Sequence, residues 1–372
     1  MPRNLGMAVA VAWAASVLAL ALAPPPASAH AAHAARPAHA ARVSPDAWRI
    51  GVTAHYGPAG NASGFAAVVA SGPAEAWAFG GTNPGGPSAP VALRWDGRSW
   101  QRVPLPPGLD DFISVASAPT SKDIWAASYY GGYLLHWDGA RWTVARRWSS
   151  QGALTGVTAV SPLDVWVFGT SPAGGPGLGT WHLEHGRWLA VTGPDAGIYR
   201  ASAVNWRDIW AIGGTARGSF VEHFDGRAWA RVRTVPELAG ARLHDVLAVS
   251  ARSVWVAGNL PARRGVGPLV VAHWNGSWWR AFILPVHVGA GRLASDGHGG
   301  AWITATTGGQ RIGAMFLHLY WSGGHAWTTV DHGLGNGVSD IALVPGTDSL
   351  WASGGFLTHS GGDAVIFARG GT

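Results

Sequence analysis

The chain has 372 residues, 48% hydrophobic and only 12% charged, with 54 Gly and 24 Pro; that is too apolar for disorder and too rich in turn formers for a helical protein. Its formal charge of +6 comes from scattered Arg, with Lys122 the single lysine and no basic run, which argues against a nucleic-acid partner. With 0 Cys it can form no disulfide, thiolate metal site or cysteine nucleophile, yet its 23 Trp demand an explanation.

In chain order, Arg3, the apolar stretch Ala8 to Ala23, three prolines and an A-x-A site at Ala27-Ser28-Ala29 read as a signal peptide over residues 1–29. The apolar stretch is short for a membrane span, so the expectation is a secreted protein without stable membrane insertion. Residues 30–45 are an Ala/His-rich flexible spacer. Its His30, His33 and His39 have no carboxylate or cysteine partner that would make a metal site of them.

From residue 46 onward a repeat takes over. Trp77, Trp125, Trp166, Trp210, Trp255, Trp302 and Trp351 recur at intervals of 48, 41, 44, 45, 47 and 49 residues, one four-stranded unit each. A small-residue apolar strand precedes each (FAAVVAS, ISVASA, LTGVTAV, LHDVLAV). A third strand ends in RWDG, HWDG, HFDG or HWNG, and four residues after the Asp or Asn comes another Trp: Trp100, Trp142, Trp229 and Trp279, with Trp188 and Trp327 looser copies. Asp-Gly or Asn-Gly between apolar runs is a hairpin turn. The expected fold is all-β, a seven-bladed β-propeller over residues 46–372. Its last unit lacks a fourth strand, which residues 46–52 around Trp48 supply, so that pairing of the two chain ends closes the ring.

Blade one, AWAFGG…ALRWDGRSWQRVPLP, resembles the kelch repeat, with further Gly pairs at Gly213-Gly214 and Gly354-Gly355. Its D-G-x-x-W turn is similar to the Asp-box of sialidase-type propellers. The resemblance implies the fold. The copper site of kelch-like galactose oxidase needs a cysteine that this chain lacks, and the sialidase likeness stops at the turn. Glu is limited to Glu75, Glu184, Glu222 and Glu237, which argues against a two-carboxylate glycosidase. His136, His182, His223 and His273 share one repeat position, which spreads them round the ring and makes them packing residues. Asp123, Asp164 and Asp208, and Asp96, Asp138 and Asp225, read as turn residues bonding nearby backbone N–H groups.

The repeating turns fall on one face of a propeller and the loops that differ between blades on the other, which is the expected binding face. At blade two Tyr129, Tyr130 and Tyr133 flank Gly131-Gly132, Trp148 follows Arg146 and Arg147, and Asp110 and Asp111 arrive from the preceding loop. Aromatic faces with charged neighbours suit a sugar ring. These eight residues form the candidate ligand site of a monomeric, non-catalytic extracellular binding or adhesion module, for glycan or protein, with no catalytic residue, metal or cofactor expected. The alternative is a secreted carbohydrate-active hydrolase or lyase with its site at the mouth of the channel.

Overall fold

Glycine after an aspartate or asparagine sets the outer turns of blades one, two, four and five. Asp96 Oδ1 accepts from the backbone N–H groups of Arg98 and Ser99, both at 2.9 Å, and Asp138, Asp225 and Asn275 do the same one turn per blade. Those bonds hold the carboxyl groups of Asp96, Asp138 and Asp225 below the usual range. The residue after each is glycine at φ of 91, 93, 91 and 97°, a region an L side chain strains to enter.

The computed structural model describes residues 47–57, 62–82, 88–148, 152–170, 178–191, 197–215, 218–306, 314–320, 325–330, 336–358 and 361–371. Of residues 325–330, 336, 356–358 and 361 only the backbone is described. The expected signal peptide and spacer lie outside these residues. Twenty-eight strands form seven four-stranded antiparallel blades. Blade one runs Ser63–Gly72, Glu75–Thr82, Pro90–Trp95 and Trp100–Arg102 from the axis outward, and blade two Ile113–Thr120, Asp123–Ser128, Tyr133–Trp137 and Trp142–Arg147. Blades three to six follow in the same order, starting at Ala153–Ser161, Ile198–Asn205, Arg242–Ser250 and Gly289–Ser295. No helix among the described residues is long and apolar enough to cross a membrane.

Blade seven holds Asn336–Leu343, Leu350–Thr358 and Gly361–Arg369, and its outer strand is Arg49–Ala54 from the other end of the chain. Arg49 pairs with Ala368, Ile50 with Phe367 and Val52 with Ile366. Trp48 lies 3.7 Å from Phe316 in a stacked pair and meets Trp302 edge-on at 5.8 Å, which ties blade seven to blade six.

The tryptophans form the seams between blades. All seven second-strand Trp are buried, from 0% exposed at Trp77 to 5% at Trp302. As Trp48 meets Trp302, an outer-strand Trp of the following blade meets five others edge-on: Trp142 on Trp77, Trp188 on Trp125, Trp229 on Trp166, Trp279 on Trp210 and Trp100 on Trp351, at 5.1 to 6.2 Å. The side chain of Trp327 lies outside the described residues. On the other face of five of the rings lies a third-strand histidine of the same blade, His136, His182 and His318 stacked and His223 and His273 tilted, at 4.0 to 4.5 Å.

The second-strand aspartates differ from their expected role. They serve these rings, and no backbone turn. Asp123 Oδ1 accepts from Trp125 Nε1 at 3.1 Å and lies 2.6 Å from His136 Nε2. Asp208 holds Trp210 and His223 in the same way, both at 2.8 Å, and Asp164 holds His182 at 2.8 Å. In blade one Glu75 takes Trp77 Nε1 at 2.6 Å and Arg94 replaces the histidine; in blade five Ser253 meets His273 at 3.1 Å. The cross-strand partner decides the difference, since Trp125 lies opposite His136 and both reach back to the strand's first residue.

Candidate functional site

At blade two the variable loops build a rigid corner. Tyr129 to Gly132 join the second strand to the third, and Asp111 comes from the connection with blade one. Asp111 Oδ2 accepts from the backbone N–H groups of Tyr130 (2.5 Å) and Gly131 (2.7 Å). The Tyr133 hydroxyl donates to the Asp111 backbone oxygen. Gly132, at φ 59°, turns the chain so that its oxygen accepts from Trp148 N–H at 2.8 Å.

The eight candidate residues thereby divide into a scaffold and a surface. Tyr133 and Asp111 are buried, 0% and 7% exposed, so Tyr133 is core and not a stacking platform. Burial pushes the Tyr133 phenol well above its usual value. Arg146 and Arg147 belong to the outer strand Trp142–Arg147 and not to a loop. The Arg146 guanidinium lies 4.0 Å from the Trp181 ring, and also over Trp148 and Trp188 at 5.1 and 5.7 Å. Burial lowers its pKa. Trp148 itself is half-buried against Trp181 and Trp188 of blade three, at 6.1 and 6.2 Å. What faces solvent is Tyr130, 60% exposed, with Tyr129 set edge-on to it at 4.4 Å, and the exposed Asp110 and Arg147. Arg147 reaches Gly108 O at 3.4 Å and lies over the Tyr133 ring at 5.6 Å.

A cavity of about 290 Å³ occupies the axis of the ring, lined by the innermost strands. Ser202, Leu247, Ala294 and Ala342 are the cross-strand partners of the second-strand Trp in blades four to seven. Two residues before each stand Arg200, Asp245, Arg292 and Asp340, four charges of alternating sign at one repeat position. In blades one to three that position holds Ala67, Val115 and Gly156. Each charge reaches a neighbouring blade. Arg200 donates to Thr155 O at 2.6 Å and Arg292 to His244 O at 3.4 Å, while Asp245 accepts from Leu293 N–H at 2.7 Å and Asp340 from Val68 N–H at 3.0 Å. Burial drives the Asp245 carboxyl up to about 7 and Asp340 to about 6, with Arg200 opposing both. Arg200 is also within electrostatic reach of Tyr129, which joins the channel mouth to the blade-two corner.

This set lies outside the sequence-based expectations. Its signal was a charged residue inside strands otherwise made of Ala, Ser, Val and Leu, visible once the inner strands are aligned on the Trp. Also unforeseen are Trp206 and Trp278, 51% and 55% exposed on the face of repeating turns, with Arg207 4.1 Å over Trp206. Among the described residues no three His, Asp or Glu come together to hold a metal ion.

No protein-family model and no curated protein matches the sequence. Solved structures match it in fold. A YCF48 bound to D1 peptide shares 15% identity at a TM-score of 0.55, over 86% of this chain and 98% of that one. PorZ, a bacterial surface component of the type-IX secretion system of Porphyromonas gingivalis, shares 14% at 0.57, over 81% of this chain and 46% of that one. Virginiamycin B lyase from Staphylococcus aureus shares 9% at 0.59, over 86% and 99%. At such identities the likeness shows the propeller fold alone.

Proposed function

We propose that this chain is a non-catalytic extracellular binding module whose ligand, a saccharide, docks on the variable-loop face beside blade two. The observation that carries it is the exposed Tyr130 with Tyr129 edge-on beside it, on a corner pinned by Asp111, a tyrosine pair that the sequence repeats in no other blade. The seam tryptophans recur from blade to blade, and these two tyrosines do not. A pinned aromatic loses little freedom when a sugar face stacks on it, and Asp110 and Arg147 supply an acceptor and a donor for hydroxyl groups. The apolar leader ending in Ala27-Ser28-Ala29 supports export. Titrating the purified protein with oligosaccharides by calorimetry tests the reading. The expected result is saturable binding, of about micromolar to millimolar strength, that Tyr130→Ala abolishes. Equal binding by the folded variant places the ligand elsewhere.

One observation favours a second reading, a carbohydrate-active hydrolase or lyase at the channel. Asp245 and Asp340 carry raised pKa values beside Arg200, the kind of environment in which a carboxyl group can exchange protons near neutrality. Release of new reducing or unsaturated sugar ends by the parent, lost in Asp340→Asn, is the outcome that reading requires.

A further inference from the structure

The alternating charges in the channel exceed what stapling the blades uses. Each carboxylate gives one oxygen, Oδ2, to a neighbouring backbone N–H, and each guanidinium gives one nitrogen to a neighbouring carbonyl. Asp245 and Asp340 also accept from the backbone N–H of the next residue on their own strands, Val246 and Ile341, and the Arg292 guanidinium lies 3.9 Å from Asp245 Oδ1, beyond hydrogen-bond reach. Among the described residues, the second amino group and Nε of both arginines take no hydrogen-bond partner. None of these atoms is sealed from solvent without a partner, as several seam Trp nitrogens are; all four side chains line the cavity. Independently of the saccharide reading, we propose that the channel is a binding site for a small zwitterion of the α-amino-acid class. Its carboxylate is taken by the guanidinium groups of Arg200 and Arg292 and its ammonium by the carboxylates of Asp245 and Asp340.

The alternation selects the ligand. A lone anion meets two carboxylates with the arginines, and a lone cation meets two guanidinium groups with the aspartates. A molecule with both charges a few ångströms apart satisfies donors and acceptors together and leaves the net charge of the channel unchanged. Hydrogen bonds between charged partners are roughly twice as strong as neutral ones, which favours the zwitterion over an uncharged polyol among four charged side chains. The wall formed by Val115, Val157 and Gly156 leaves an apolar side for the Cα substituent, within the cavity of about 290 Å³.

The ring also gives binding a pH signature. Asp245 faces Arg200 from blade four, Arg292 from blade six and Asp340 from blade seven, with His244 and Arg242 on its own strand; Asp340 faces Arg200. Protonating both aspartates removes the ammonium partner and leaves two arginines. An amino acid should therefore bind less tightly in acid, and a simple carboxylate more tightly.

Isothermal titration with glycine and L-alanine, beside propionate and ethylamine, tests this on the purified protein. The expected result near pH 8 is saturable amino-acid binding, with propionate and ethylamine about tenfold or more weaker. Asp340→Asn, whose amide oxygen can still accept from Val68, and Arg292→Met should each weaken it about tenfold while melting cooperatively. The parent alone supplies a second reading: near pH 5 the amino acids should lose affinity and propionate gain it. Absence of amino-acid binding near pH 8, equal binding by propionate, unchanged affinity in both folded variants, or the reverse pH trend overturns the proposal. Loss of oligosaccharide binding in Tyr130→Ala bears on the other site only.

Discussion

At the scale of single residues, five of the second-strand Trp have a histidine against one face, six meet an edge-on Trp from the next blade, and in five blades a carboxylate holds the indole or the histidine nitrogen. In blade four Trp210 lies between His223 and Trp279, with Asp208 holding its indole N–H at 2.8 Å. Trp210→Ala removes a buried ring and should cost about 3–5 kcal/mol, read as a clear fall in melting temperature. Trp206→Ala, four residues away on an exposed ring, should stay within about 0.5 kcal/mol of the parent. Similar melting of the two variants would contradict the seam account. The burial of these Trp was legible because spacing alone showed one per blade. The service of Asp123 and Asp208 was not, because it depends on which histidine the strand register sets opposite the ring. Nor was the burial of Tyr133 beneath Asp111, since neighbours in sequence face opposite sides of a strand.

At the scale of elements, the strand Arg49–Ala54 covers the open edge of Gly361–Arg369, and Trp48 locks it against Phe316. Removing residues 46–54 should leave that edge unpaired. An unpaired strand edge is a template for association, so the shortened chain should melt lower and run as oligomers on size exclusion. A monomer with unchanged melting would show that the ring does not need this strand. Closure could be anticipated by counting, because seven second-strand Trp called for seven outer strands and one copy was missing. The inner strands were harder. Their small residues placed them at the axis, but the level shared by Arg200, Asp245, Arg292 and Asp340 emerges only when each strand is registered against its neighbour.

At the scale of the whole molecule, the two faces and the channel carry different chemistry on one scaffold. Burial holds Asp245 at about 7 and Asp340 at about 6, above the carboxylate's usual value near 4, so between these values the folded chain binds more protons than the unfolded one. The contribution of these two groups to stability is therefore full below about pH 4 and lost as pH rises through about 7. Asp245→Asn stays neutral and should flatten this slope, with a melting temperature near pH 8 no lower than the parent's. A melting series from about pH 5 to 8 in which parent and variant run parallel would contradict the assignment.

The binding face is the claim on which the functional account turns, and a glycan array reads it most directly. The parent should bind a defined set of saccharides, Trp206→Ala on the opposite face should bind the same set, and Tyr130→Ala should bind none. An array on which the folded parent finds no saccharide, or on which Tyr130→Ala matches the parent, would contradict it.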